Sequence, residues 1–140
     1  MSEYNDIQIA VVGCGMWGRN IARNCAGLGV LSHVVDNTSE RAGEFAQSFS
    51  AQVASFDEVC ANTSVQGVMI SASAAAHEPL AIAALAAGKH VFVEKPMALT
   101  LASAQAMNEA AKATGKQLMI GHLIRYHPAF TELLAQVENG

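Results

Sequence analysis

Short apolar runs alternate with amphipathic helical patterns from one end of the chain to the other. The apolar runs predict six β-strands, at Ile7–Val12, Leu31–Asp36, Gln52–Ala54, Gly67–Ser71, His90–Val93 and Gln117–Ile120. Between these runs, apolar residues recur at intervals of three and four, as do Trp17, Ile21, Cys25 and Leu28. Such intervals give a helix one apolar face, so the connecting segments are predicted to be helical.

Local signals mark where some of these helices begin and end. Ser55 and Glu58 have the spacing of a capping box, and Thr100 is a candidate cap for a helix that stops at Gly115. Strands that alternate with helices in this way require a parallel sheet covered on both faces. Because such connections are right-handed, the sheet is expected to close as a doubly wound α/β fold. A length of 140 residues fits one such domain.

The last predicted helix covers Ala129–Glu138 and carries an apolar stripe. The stripe consists of Phe130, Leu133, Leu134 and Val137. Two outcomes are open for it. The helix either packs on the chain's own sheet or leaves the stripe exposed, in which case the chain is expected to self-associate.

Composition narrows the possible functions. Apolar residues make up 51% of the chain and charged residues 14%, as in a folded globular protein. The net charge is −4 and no basic run is present, so binding to nucleic acid is not expected. No apolar run is long enough to cross a membrane, and the first residues lack the basic start of a signal peptide, so we expect a cytoplasmic protein. Cys14, Cys25 and Cys60 are predicted to be reduced thiols that act as small buried hydrophobic residues.

A glycine-rich segment follows the first predicted strand. Gly13, Gly15 and Gly18 form a G-x-G-x-x-G pattern that leads directly into the first helix. In such a segment the first glycine permits a tight turn and the second leaves room for a pyrophosphate, while the third lets the helix pack closely on the strand. The backbone N–H groups near Met16 and Trp17 lie at the positive end of the helix dipole and would face the phosphates of a dinucleotide.

An acidic residue completes this dinucleotide-binding fingerprint. Asp36 ends the second predicted strand, 18 residues after Gly18 (36 − 18), and its carboxylate would accept hydrogen bonds from the adenosine ribose. The same charge would repel a 2′-phosphate, so NAD is the expected cofactor. NADP is the alternative, because Arg41 is close in sequence. Methyltransferases that use S-adenosylmethionine also have a glycine-rich turn and an acidic residue, so the fingerprint alone leaves that class open.

Three later segments carry a family resemblance. Val68–Ser71 leads into residues 74–77, which read AAAH, and residues 87–96 read AGKHVFVEKP. Together with the glycine-rich segment, they closely resemble the Gfo/Idh/MocA oxidoreductase family (glucose–fructose oxidoreductase, inositol dehydrogenase and rhizopine catabolism). The resemblance covers essentially all 140 residues and argues against a methyltransferase. One departure is visible, since Ala72 and Ser73 stand where the family usually has Thr-Pro.

The resemblance assigns roles around the carboxyl end of the fifth strand. In the family, the lysine of the EKP motif faces the substrate carbon that loses hydride and helps to handle the hydroxyl proton; here it is Lys95. A cation at this position would stabilise a developing alkoxide. Glu94, Ser71 and His77 are assigned to the cofactor, as is Lys95 in addition to its catalytic role, although His77 is otherwise read as a surface residue at the start of a helix. The Lys95–Pro96 peptide bond is often cis in relatives.

The segment after the sixth strand reads GHLIRYHP over residues 121–128. By resemblance, His122, Arg125 and Tyr126 are assigned to the substrate pocket. An arginine there can hold a carboxylate or phosphate, and a tyrosine offers its hydroxyl to a sugar. A metal site built on His122 and His127 is not expected, because no carboxylate or cysteine ligand accompanies them and relatives use no metal.

The resemblance implies an enzyme larger than this chain. Full-length relatives carry a C-terminal α+β substrate domain, so residues 1–140 are expected to be the dinucleotide-binding domain, with 126–140 a terminal helix leading to the other. The implied activity is hydride transfer between NAD(P) and a secondary alcohol or ketone of a sugar, cyclitol or nucleotide-sugar. A homo-oligomer is expected for the full-length protein, and the isolated chain is expected to be inactive. The segment GHLIRYHPAF at 121–130 looks most like the nucleotide-sugar branch. The alternative is a cofactor-sensing regulator of the same family, which would not need Lys95 to handle a proton.

Overall fold

A computed structural model describes residues 6–140, in which six strands alternate with helices. The strands are β1 (Ile9–Val12), β2 (Leu31–Val35), β3 (Gln52–Val53), β4 (Gly67–Ile70), β5 (His90–Val93) and β6 (Leu118–Ile120). The helices are α1 (Met16–Gly27), α2 (Ser39–Phe49), α3 (Phe56–Ala61), α4 (Ala74–Ala86), α5 (Leu101–Thr114), a 3-10 helix (Leu123–Tyr126) and α6 (Pro128–Asn139). The polar residues 1–5, which bear on the expectation about a signal peptide, lie outside the described part.

The six strands form one parallel sheet in the order β3-β2-β1-β4-β5-β6. This order confirms the prediction of a doubly wound α/β fold. The connections run outward in one direction from β1 and in the other from β4, so the strand order reverses between these two neighbours. Open α/β sheets bind their ligands at the carboxyl ends of the strands beside such a reversal. We therefore expect a ligand site at the turns that follow β1, β2 and β4.

Alternate residues of each strand point to opposite faces of the sheet, which divides the core in two. On one face, Val11 and Val34 pack with buried residues of α1 and with Phe45 of α2. On the other face, Val12 and Val35 belong to a cluster that includes buried residues of α3, α4 and α5. Both faces of the sheet are thus covered, as strands alternating with helices predict.

The capping signals read from the sequence are present in the structure. The Ser55 backbone N–H donates to Glu58 Oε2 at 2.7 Å, and the Glu58 N–H donates back to Ser55 Oγ at 3.2 Å, which completes the capping box of α3. Thr100 Oγ1 accepts from the Ser103 N–H at 3.1 Å at the start of α5. That helix ends at Gly115, which has a φ of +66° and so adopts the left-handed conformation that favours glycine.

Three expectations need correction. Helix α4 begins at Ala74, not at His77, and it accommodates Pro79 within its second turn. The 3-10 helix was not predicted at all. Helix α6 packs against the 3-10 helix and buries none of its residues, so the alternative that it packs on the chain's own sheet is wrong. Within residues 6–140, no helix is both long and apolar enough to cross a membrane.

Candidate cofactor and active site

The turn after β1 contains the three glycines of the G-x-G-x-x-G pattern, and at two of these positions only glycine fits. Gly13 has a φ of +96°, and a Cβ there would lie 2.7 Å from the backbone carbonyl carbon of Ser71. A Cβ on Gly18 would lie 1.9 Å from the Gly13 carbonyl oxygen. These two glycines therefore let α1 and the turn after β4 close tightly on the end of β1, and the fold itself requires them.

Gly15 differs from the other two glycines, because the fold does not require it. Its φ of −82° suits any residue, and a Cβ there would have no atom within 4 Å. Gly15 is the N-cap of α1, so the open space lies directly before the helix N-terminus, where the first N–H groups have no partner one turn earlier. The first turn of α1 holds no acidic side chain. This arrangement leaves a cradle for an anionic group.

Asp36 lies beside this cradle, at the end of β2. One carboxylate oxygen accepts from the Cys14 N–H and the other from the Thr38 N–H, each at 2.8 Å, and the Arg41 guanidinium is 3.7 Å away. Burial raises the pKa of Asp36, but the two N–H groups and Arg41 outweigh it and bring that pKa below its usual value. Asp36 is therefore ionised at neutral pH. It stabilises the fold above the ordinary aspartate pKa, and this contribution is lost as the pH falls through the lowered one.

The three cysteines have structural rather than reactive roles, and only Cys14 lies next to this site. Cys14 is buried next to Asp36, and burial, followed by the carboxylate charge, raises its pKa to about 12. Burial also raises the pKa of Cys25. All three cysteines are free thiols, which agrees with the sequence prediction, although Cys60 is only partly buried.

A cavity of about 510 Å³ joins the glycine-rich turn, the end of β2 and the turn after β4. It is lined by Val12, Gly13, Gly15, Val35, Asp36, Asn37, Thr38, Arg41, Phe56, Ser71, Ala72, Ser73, Ala76, Pro79 and Leu80. This volume falls within the range of small-molecule and cofactor sites, ~300–1,000 Å³. Ser71 lines this cavity, and its hydroxyl also donates to the Gly13 carbonyl oxygen at 2.8 Å. Apolar walls with one carboxylate at the end suit an adenosine.

A second group of predicted residues lies at the end of β5, outside the lining of that cavity. Glu94 is 7% exposed, and its Oε2 accepts from the Lys95 N–H at 3.2 Å. The Lys95 ammonium is 6.0 Å from the ring centroid of Trp17, which is at the outer edge of a cation–π contact. Trp17 belongs to the glycine-rich segment, so Lys95 and the helix N-terminus are close neighbours. The Lys95–Pro96 bond is cis, as the resemblance implied.

Gly121 is a site residue that sequence reasoning missed. A Cβ there would lie 3.0 Å from the Phe92 ring and 3.1 Å from the Glu94 carboxyl group. A side chain at this position would therefore press on Glu94. The available signal was its place at the end of β6, next to the strand that carries Glu94 and Lys95.

His77 is 1% exposed, so the surface position considered for it is wrong. It is not among the residues that line the cavity, and its assignment to the cofactor stays a prediction. Its Nδ1 is 2.8 Å from the Pro96 carbonyl oxygen, and its Nε2 is 3.1 Å from the Ala72 carbonyl oxygen. The ring thus spans the turns that follow β4 and β5.

The residues assigned to substrate follow β6 and are exposed. His122 precedes the 3-10 helix, which carries Arg125 and Tyr126; Tyr126 is 71% exposed. They lie outside the lining of the cavity, so the structure groups them with neither the glycine-rich turn nor Asp36. Within residues 6–140, no group of three or more His, Cys, Asp or Glu side chains is placed to hold a metal ion.

Solved structures share both this fold and a good part of its sequence. A UDP-N-acetylglucosamine 3-dehydrogenase, GnnA from Acidithiobacillus ferrooxidans, superposes with a TM-score of 0.87 and is 33% identical, covering 93% of this chain and 43% of its own. GenD2 from gentamicin A biosynthesis, solved in complex with NAD, has a TM-score of 0.86 and 33% identity, covering 90% of this chain and 37% of its own.

Sequence comparison points to the same group of proteins. The inositol 2-dehydrogenase of Acidiphilium cryptum is 34% identical over 95% of this chain and 42% of its own length. The chain thus spans about two fifths of the length of such relatives. The GFO_IDH_MocA family, described as an oxidoreductase family with an NAD-binding Rossmann fold, matches residues 7–122. This chain therefore belongs to the Gfo/Idh/MocA oxidoreductase family and contains its NAD-binding domain.

Proposed function

We propose that this chain is the cofactor-binding part of a dehydrogenase that moves hydride between NAD and a secondary alcohol or ketone. One observation carries the proposal: Lys95, at the end of β5, lies beside Trp17 of the glycine-rich segment. This distance, 6.0 Å from the Lys95 ammonium to the Trp17 ring, supports a proton-exchanging amine near the first turn of α1. A protein that only senses the dinucleotide would need the cradle but not the amine.

The chain's own residues divide the work into binding and proton handling. Gly15 and the N-terminus of α1 would hold the phosphates, and Asp36 would bind the adenosine ribose hydroxyls. NAD supplies the hydride acceptor when it is bound. Lys95 would take the proton from the substrate hydroxyl, or return it in the reverse direction, and its charge would stabilise the oxygen in between.

We propose a polyhydroxylated substrate, such as a sugar, a cyclitol or a nucleotide-sugar. The relatives named above support this class, since one is an inositol 2-dehydrogenase and another acts on UDP-N-acetylglucosamine. Arg125 and Tyr126 are exposed after β6 and offer a cation and a hydroxyl to such a molecule. We assign His122 to the same pocket. Residues 126–140 would lead into an α+β substrate domain, and the whole protein would be a cytoplasmic homo-oligomer.

The cofactor preference tests this proposal on the chain itself. We expect NAD to bind more tightly than NADP, because the ionised Asp36 would repel a 2′-phosphate. Asp36→Asn removes the charge with little change in shape and leaves Arg41 in place. We expect it to weaken NAD binding by roughly ten- to a hundredfold, the value of a hydrogen bond to a charged group, and to improve NADP binding. Calorimetric titration of both cofactors into both proteins measures this.

A matched variant separates this local effect from a general change in charge. Glu44→Gln removes a carboxylate from the exposed face of α2, outside the cavity, and should leave both affinities unchanged. Tighter binding of NADP than of NAD by the unmodified chain would contradict the role proposed for Asp36. Circular dichroism of each protein checks that the variants are folded.

The chain by itself is expected to bind dinucleotide weakly, to turn over no alcohol and to self-associate. The first two follow because the groups after β6 stand in water and enclose no reacting carbon. The third follows from exposed apolar side chains around α6, with Ile124 and Val137 each 70% exposed and Leu133 54%. Light scattering at increasing concentration measures it, with a Leu133→Glu/Val137→Glu double variant as the monomeric control. A monomer at every concentration, or measurable dehydrogenase activity, would contradict this expectation.

A further inference from the structure

His77 is a buried polar residue that the cofactor cavity and the proton-handling lysine leave without a direct role. It lies on α4, is not among the residues that line the cavity, and is 1% exposed. Burying an imidazole costs free energy unless its ring nitrogens are hydrogen-bonded. The two partners it has here, the carbonyl groups of Ala72 and Pro96, belong to the two turns that flank the site.

These two carbonyl groups lie in different parts of the site. Ala72 lines the cofactor cavity, in the turn after β4. Pro96 follows Lys95 directly, in the turn after the neighbouring strand β5. One rigid ring therefore joins the wall of the cofactor cavity to the residue next to the lysine. The chain between β5 and α5 forms no helix or strand, so without this ring the Lys95 ammonium would depend on its contact with Trp17 for its position.

The chemistry of the ring determines which nitrogen must carry a proton. Carbonyl oxygens only accept, so a ring nitrogen bonds to one of them only when it bears hydrogen. A neutral imidazole has one such nitrogen, and a doubly protonated ring has two. The contact to Pro96 at 2.8 Å is shorter than the contact to Ala72 at 3.1 Å, and we take Nδ1 as the donor of this shorter hydrogen bond.

We propose that His77 is a positioning residue for Lys95: by donating from Nδ1 to the Pro96 carbonyl oxygen, it holds the lysine against the cofactor cavity. This inference rests on the function proposed above for Lys95. It assigns His77 no contact with cofactor or substrate. Its effect is on where the Lys95 amine lies when NAD is bound.

The test measures that position directly. The chain has four lysines, and reductive methylation with ¹³C-formaldehyde gives an NMR signal from those that are accessible, among them the exposed Lys95 and Lys112. At saturating NAD, we expect the Lys95 signal to shift and that of Lys112, at the far end of α5, to stay unchanged. Lys95→Arg, which lacks the signal, assigns it. Saturation removes differences in affinity between variants, and thermal unfolding of each variant records any loss of stability separately.

Three variants of His77 distinguish positioning from packing. His77→Asn places an amide donor near Nδ1 and should keep the NAD-induced shift of Lys95. His77→Gln places its donor near Nε2, towards Ala72, and His77→Ala has none; both should lose the shift. A shift that persists in His77→Ala, with only the unfolding temperature lowered, would overturn the inference, because a merely structural residue behaves in that way. No shift in the unmodified chain would instead overturn the function proposed for Lys95 and the inference with it.

A measurement on the unmodified chain keeps the inference testable where a variant does not fold. Two-dimensional ¹⁵N–¹H spectra of the histidine rings show which nitrogen of His77 is protonated. Hydrogen on Nδ1, alone or together with Nε2, supports the proposed donor to Pro96. Hydrogen on Nε2 alone would overturn it.

Discussion

Gly15→Val is expected to abolish NAD binding while the domain stays folded. Gly15 has a backbone conformation that valine adopts, and the space around its Cβ position is open, so the fold loses nothing. The same space is the cradle before α1, and a branched side chain there would take the place of a phosphate. We expect affinity for NAD to fall by roughly two orders of magnitude or more, about 3 kcal/mol, as measured by calorimetry. Thermal unfolding should change little.

Two other glycines of α1 are the controls for this result. Gly27→Val adds the same side chain at the other end of α1, again with open space around the Cβ, and should leave NAD binding intact. Gly18→Ala adds a single methyl group 1.9 Å from a carbonyl oxygen and should destabilise the fold itself. If Gly15→Val binds NAD normally, the phosphates do not lie before α1.

Elements with strong local signals could be predicted from the sequence to within one or two residues. Apolar runs bounded by glycine and polar residues placed all six strands, and capping residues placed the starts of α3 and α5. These signals act between residues close in sequence, so they are visible without a structure. The doubly wound closure of the sheet also followed, because right-handed connections leave few ways to close an alternating chain, whereas the order of the strands was not predicted.

The start of α4 could not be located in the same way. Proline is most common in the first turn of a helix, which favoured a start next to Pro79. The N-cap is Ser73, a residue type typical of that position, but its side chain makes no capping hydrogen bond. His77 lies three residues into this helix and shares its buried side with Ala81 and Leu85, at intervals of four. That spacing was the signal that could have placed His77 in the interior.

Contacts between distant turns could not be predicted from the sequence. The pattern placed Asp36 at the correct strand end, but its hydrogen bond to Cys14 joins residues 22 apart in the chain. The contact of His77 with Pro96 spans 19 residues, and the fit of Gly121 against Glu94 joins two neighbouring strands. Such contacts depend on side-chain direction after the sheet has formed, which periodicity does not specify. The roles assigned to individual residues in binding NAD and substrate are therefore predictions.

Lys95→Ala is expected to reduce turnover by roughly two to four orders of magnitude, the usual effect of losing an acid–base group. The measurement uses an active protein in which this chain is joined to a substrate domain. NAD affinity should change little, because Gly15 and Asp36 are proposed to hold the dinucleotide and Lys95 lies outside the lining of the cavity. A fall in turnover with unchanged NAD affinity would separate chemistry from binding.

Lys95→Arg shows which property of the lysine matters. Arginine keeps the positive charge and can still lie over Trp17, but it does not give up its proton in proteins. If Lys95 exchanges a proton with the substrate, the arginine variant should be about as slow as the alanine variant. If the lysine acts only through its charge, the arginine variant should retain most of the activity, and the proton-handling role would be wrong. Unchanged turnover in Lys95→Ala would remove this residue from the mechanism altogether.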